Sequence, residues 1–313
     1  MKSTFLTTAL FIGLLLTSCA PKNSGEQTTE PSAAPTIIAT TSLVADLVSH
    51  ISPKGIQVKG LMGAGTDPHL YKPTFSDYEA IESSNYLILS GLHLEGKMAE
   101  VMMGLQSSKN VYELSSPFQV DDKIKSNDFA DGYDPHYWMD VQLWKKAAKH
   151  CSLELKKWFP EQADSIEWYT QNYLDELQQL HSAIEDWTAG IPEEKRVIIT
   201  SHDALNYYAK AYRYEVRSLQ GFSTAAEFGL KDVKDLVDYI IEEEIPAVFV
   251  ENIVSDQALN AVVEGCKERG WQVKIGGSLY TDALGEKGSG ADTYIGMLRY
   301  NAQTMKAALS GDE

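Results

Sequence analysis

Cysteine is scarce in this sequence: there are three in 313 residues, and no two are spaced as a CxxC pair. A thiolate zinc site or a redox dithiol needs that spacing, so neither is expected. Cys151 and Cys266 fall in what read as different domains and are expected to be free, buried thiols. Basic residues are also in short supply, with 27 Lys and Arg against 44 Asp and Glu and a formal charge of −17. Nucleic-acid binding relies on a positive stripe that displaces counterions, so nucleic acid is excluded as a partner. An acidic balance favours cations, although solubility alone also accounts for it. The leading apolar run, residues 5–16 (FLTTALFIGLLL), is too short to cross a bilayer comfortably. HExxH, GxSxG and paired-base motifs are missing, which argues against a hydrolase.

What is present begins with an address label. Lys2 precedes the apolar run, which ends in Leu16-Thr17-Ser18-Cys19. A large apolar residue, two small ones and Cys resemble the lipobox of bacterial lipoproteins, with Thr17 in place of the commoner Ala or Ser. Residues 1–18 then read as a signal peptide, and Cys19 as the lipidated first residue of the mature chain. Residues 20–35 (APKNSGEQTTEPSAAP) cannot bury enough apolar surface to fold, so 19–35 reads as a lipid anchor with a flexible tether.

From residue 36 short β-rich runs alternate with amphipathic helices. Strands are expected over 36–40, 56–62, 86–90 and 110–114, with helices over 42–51, 76–83, 97–106 and 140–159. Residues 115–134 form a polar, acidic loop without histidine. Between Glu161 and Ala189 there is no Gly or Pro, and apolar residues recur at helical spacing. A helix of that length would reach roughly 40 Å at about 1.5 Å per residue, long enough to join two lobes. The rhythm then restarts, with strands over 196–200, 214–219, 247–251 and 272–275 and helices over 203–211, 230–243, 257–269 and 293–309. Alternation of this kind argues for an α/β protein of parallel sheets flanked by helices. The expected division is an N-terminal lobe over 36–159, a linking helix over 160–190 and a C-terminal lobe over 191–313.

Seven histidines are present. His50, His93, His150 and His181 lie in ordinary contexts and read as surface or packing residues. The other three stand in loops that follow strands or lead into helices: His69 in DPHLYKP, His136 in DPHYWMD and His202 directly after RVIIT. Ligands of open α/β sheets bind just beyond the carboxyl ends of strands. In the repeated Asp-Pro-His, Pro stiffens the approach and Asp can receive a ring N–H or cap a helix. Asp282, a few residues past the last expected strand, is a fourth candidate. Three imidazoles and one carboxylate suit zinc or another borderline first-row metal, whereas calcium or magnesium would require mostly oxygen. Spacing alone does not bring the four together.

At these residues the chain resembles the cluster 9 (cluster A-I) solute-binding proteins of ABC importers for zinc and manganese. DPHLYKP, DPHYWMD, SHDALNYYAKAY and LYTDALGEKG carry the likeness in order, from about Thr36 to the C-terminus. Residues 219–227 (LQGFSTAAE) resemble a segment of the TroA-like branch, in which Glu227 would support the site without being a ligand. The resemblance implies two four-stranded α/β lobes joined by one rigid helix, with a single Zn2+ or Mn2+ held in the cleft. His69 and His136 would come from the first lobe, and His202 and Asp282 from the second. It further implies an ABC permease as partner, lipid attachment outside the cytoplasm through Cys19, a monomer, and no enzymatic activity. Many manganese-specific members carry Glu in place of His202, so the third imidazole favours zinc by softness. Many zinc-specific members carry a His-rich acidic loop, and 115–134 lacks one. A secreted metal-dependent hydrolase and a surface adhesin, the latter as a secondary role, are the alternatives to carriage.

Overall fold

A computed structural model describes residues 34–126, 132–225 and 228–310. The signal peptide, Cys19, nearly all of the tether, Glu227 and part of the acidic loop lie outside the described residues. The N-terminal half opens with β1 (Thr36–Ala39), α1 (Ser42–Ile51), β2 (Gln57–Gly60), α2 (Phe75–Ser83), β3 (Tyr86–Leu89), α3 (Lys97–Met103) and β4 (Asn110–Glu113). Its strands form one parallel sheet in the order β2-β1-β3-β4, with Ile37 paired to both Val58 and Tyr86. Local chemistry sets the helix starts. Thr41 caps α1 through the Val44 amide, and Thr74 and Asp77 form a reciprocal capping box on α2. Along α1, Leu43, Val44, Leu47, Val48 and Ile51 are buried, the spacing of one apolar helical face.

Two helices follow, α4 (Val141–Trp158) and α5 (Ala163–Ala189). At 27 residues, α5 extends about 40 Å. It packs on α1 and α4 of the N-terminal half and on the last helix of the chain, so one rod serves both halves. Ile166, Tyr173, Leu177, Leu180 and Ile184 form its buried stripe.

The C-terminal half contains β5 (Val197–Thr200), α6 (Asn206–Tyr212), β6 (Glu215–Ser218), α7 (Leu230–Glu242), β7 (Ala247–Glu251), α8 (Gln257–Glu268), β8 (Lys274–Leu279) and α9 (Tyr294–Leu309). All its pairings are parallel, as expected, and helices flank the strands. Its four strands form two ladders, β5-β6 and β7-β8, in place of one continuous sheet. β5 lies beside β7, and the Glu251 carboxylate at the end of β7 accepts the Ser201 and His202 amides beyond β5. A side chain thus ties the ladders together where the site begins.

Several boundaries differ from the sequence reading, and two of them, at β8 and α6, have a clear structural reason. β8 continues through Gly276 and Gly277, a pair that reads as a loop. A side chain at Gly276 would strike Ala308, Phe249 and Ala247, and one at Gly277 would strike Thr304, so the glycines let α9 lie directly on the strand. α6 starts at Asn206 and not at Asp203, because residues 201–205 serve the site instead: Asp203 N–H donates to the Gly221 carbonyl and Thr200 Oγ1 to the His202 carbonyl. Cys151 and Cys266 are buried and unpaired. Among the described residues no helix is long and apolar enough to cross a membrane.

Candidate metal centre

His69 stands in the long loop between β2 and α2. Gly65 makes the turn at φ +64°, and the Asp67 Oδ1 atom accepts the His69 amide at 2.8 Å. His136 precedes a short 3-10 turn, Tyr137–Met139. There Asp134 Oδ1 accepts the His136 amide at 2.9 Å and lies 2.7 Å from ring Nδ1. That contact fixes the tautomer so that Nε2 is free to point inward. His202 follows β5 directly. Glu251 Oε1 accepts its amide and that of Ser201, each at 2.9 Å, while Oε2 lies 2.5 Å from ring Nδ1. Asp282 follows β8 and is fully buried. The adjacent Thr281 carbonyl accepts the Trp138 indole N–H at 2.8 Å, which joins the halves beside the site.

The four side chains meet. His69 Nε2 lies 3.3 Å from His136 Nε2 and 3.1 Å from Asp282 Oδ2. Asp282 Oδ1 is 3.4 Å from His136 Nε2, and Oδ2 is 3.3 Å from His202 Nε2. One donor atom from each residue can be chosen so that all lie within 4.8 Å of one another. Four donors placed tetrahedrally at about 2.05 Å from zinc would be separated by about 3.3 Å. Among the described residues, the Asp282 oxygens and His202 Nε2 have no partner outside the cluster itself. Buried polar atoms without partners are costly, and a cation between them would satisfy all three. His50, which stacks on Tyr173, and His181, which contacts Tyr212, lie outside the cluster, as do His93 and His150.

Electrostatics point the same way. Burial pulls the His136 pKa down, but Asp282 and Asp134 outweigh it and push it up to about 9. His202 is also held well above the ordinary imidazole range: burial opposes this, and Glu251 and then Asp282 overcome it. Burial would raise Asp282, yet His136 and His202 hold it well below the usual carboxylate range. These acidic surroundings therefore hold positive charge, which protons supply when no metal does.

Sequence reasoning missed Glu251, which reads only as the end of the strand AVFVE. A glutamate closing an otherwise apolar buried strand was the available signal, since ionisable groups are rarely buried without a partner.

Two parallel α/β halves sharing one long helix, with a nitrogen-rich cluster fed by both, define a two-lobed protein built to enclose a transition-metal ion. The chain belongs to the family described as zinc-uptake complex component A, periplasmic, whose model matches residues 37–308. It is 38% identical over 309 residues to the manganese-binding lipoprotein MntA of Bacillus subtilis, covering 99% of this chain and 100% of that protein. It is 36% identical over 276 residues to the zinc-binding protein TroA of Treponema pallidum, covering 88% and 89%. The solved structure of that periplasmic zinc-binding protein superposes with a TM-score of 0.85 over 88% of this chain and 99% of its own.

Proposed function

We propose that this protein is the extracytoplasmic metal-binding lipoprotein of an ABC importer, taking one Zn2+ or Mn2+ as cargo through His69, His136, His202 and Asp282. The observation that carries the reading is the approach of four donor atoms, from four separate loops of both halves, around a buried point. Four protein donors fill a tetrahedron and leave no vertex for a reactive water, which favours carriage over hydrolysis. We assign zinc as the preferred ion, because three imidazoles and one carboxylate form a borderline-soft set. The histidines must be neutral to bind, so loading releases protons. A permease has to loosen at least one ligand to receive the ion. The shared α5 restricts hinge bending, so loading and release involve small tilts and loop shifts. Lipid on Cys19 and the tether that follows would keep the monomeric binding unit near the membrane without inserting it.

Elemental analysis of wild type, His69→Ala and His202→Ala tests the site. One equivalent of metal in wild type and none in His202→Ala is the expected result, and unchanged content in a variant removes that residue from the ligand set. Competition of zinc against manganese on metal-free protein decides the ion. Labelling with a fatty-acid analogue, lost in Cys19→Ala, tests the anchor.

A further inference from the structure

The four donors are not equally enclosed. The side chains of His136, His202 and Asp282 are 0% exposed, whereas His69 is 5% exposed and marks the wet edge of the cluster. His136 and His202 are each held from behind by a carboxylate on Nδ1. Among the described residues no carboxylate stands against His69 Nδ1, but the backbone of its loop is held. That backbone is fastened to the C-terminal half at two points. Gly65 N–H donates to the Leu284 carbonyl at 3.1 Å. Thr224, half-buried in the loop after β6, donates its hydroxyl to Asp67 Oδ2 at 2.6 Å. The other oxygen of the same carboxylate receives the His69 amide. One carboxylate thus connects the C-terminal half to the backbone of the most exposed ligand.

We infer that Thr224 is a positioning residue: its hydroxyl straps the His69 loop across the cleft and sets how fast the ion leaves. This rests on the metal-site reading above. With the strap in place, His69 can withdraw only if the Asp67–Thr224 bond opens. The three buried ligands do not need that bond to hold their places. The loss of Thr224 therefore falls on dissociation and not on capture.

Zinc-loaded full-length protein mixed in a stopped-flow instrument with excess chromogenic zinc chelator reads the dissociation rate; metal-free protein mixed with zinc reads association. Thr224→Val removes the hydroxyl and keeps the branched shape. It is expected to speed dissociation about tenfold, the effect of losing one charge-assisted hydrogen bond, while association stays within about twofold. Thr224→Ser is expected to restore the wild-type rate to within about twofold. The strap is overturned if Thr224→Val dissociates at the wild-type rate, if Thr224→Ser leaves dissociation as fast as Thr224→Val does, or if association slows as much as dissociation speeds up. His202→Ala run alongside separates the two failures: retained stoichiometric zinc there defeats the metal site itself, whereas a metal-free His202→Ala beside an unchanged Thr224→Val defeats only the strap.

Discussion

Among the described residues, each half of the protein buries one glutamate beneath the loop that leaves a strand. In the N-terminal half Glu95 accepts the Ser90 amide at 2.6 Å, the Gly91 amide at 3.3 Å and the Thr40 hydroxyl at 2.6 Å, just past β3 and β1. In the C-terminal half Glu251 accepts the Ser201 and His202 amides just past β5. Both carboxylates satisfy amides that the sheet leaves unpaired, which accounts for burying a charge there. They differ at the second oxygen. Glu251 uses Oε2 on the ring of a candidate ligand, whereas Glu95 touches none of the four candidate ligands. The same backbone device is thus structural in one half and reaches a candidate ligand in the other.

The largest effect is expected at the shared point of the cluster. Asp282→Ala removes the only carboxylate among the four donors, so the fall in zinc affinity should exceed the roughly 10- to 100-fold typical of an outer partner, as read by competition titration. Next comes the glutamate pair. Glu251→Gln is expected to weaken zinc binding by about 10- to 100-fold, because it removes the charge that orients His202. A loss of less than about threefold would place Glu251 with Glu95 as a purely structural group.

Acidity provides a third measurement. His136 is raised to about 9 and His202 is held well above its ordinary value, so both rings hold protons more tightly than free imidazole does. Zinc competes with those protons, so net proton release should accompany loading at pH 7, and affinity should rise as pH rises. Calorimetry in buffers of different ionisation enthalpy counts them; no net release would contradict the reading.

Glu95→Gln should have the smallest effect on metal, within about twofold, and act on stability instead. Burial raises the Glu95 pKa, against the hydrogen bonds from Thr40, Ser90 and Gly91. The folded state therefore binds the proton more tightly than the unfolded chain does. That contribution is fully present below the ordinary glutamate range and fades as pH rises through the raised value. Glu95→Gln should flatten this part of the stability curve in urea unfolding followed against pH.

Much of this arrangement was legible in the residues. The βα alternation, the uninterrupted run from Glu161 to Ala189 and the loops holding His69, His136 and His202 were all visible, because periodicity and Pro-stiffened loops are local signals. Glu251 was not, because a strand-end glutamate has the same local pattern whether it faces solvent or a ring brought in from β5. The extension of β8 through Gly276-Gly277 was hidden for a similar reason. Glycine ordinarily marks a turn, and only the tertiary approach of α9 makes it a strand residue here. Convergence of the four donors is a long-range property that spacing does not encode.

Asp134 and Glu251, set behind the histidines, have a consequence for valence. Together with Asp282 they place three carboxyl groups in or against a cluster whose His136, His202 and Asp282 are fully buried. A cation that enters replaces protons on the rings, so the closer its charge is to the number displaced, the smaller the change in the interior's electrical sum. A mismatch of ionic charge in either direction is heavily penalised away from water. At the proposed site, selection by ionic charge would thus rest partly on Asp134 and Glu251, behind the rings, before ligand softness distinguishes one divalent metal from another.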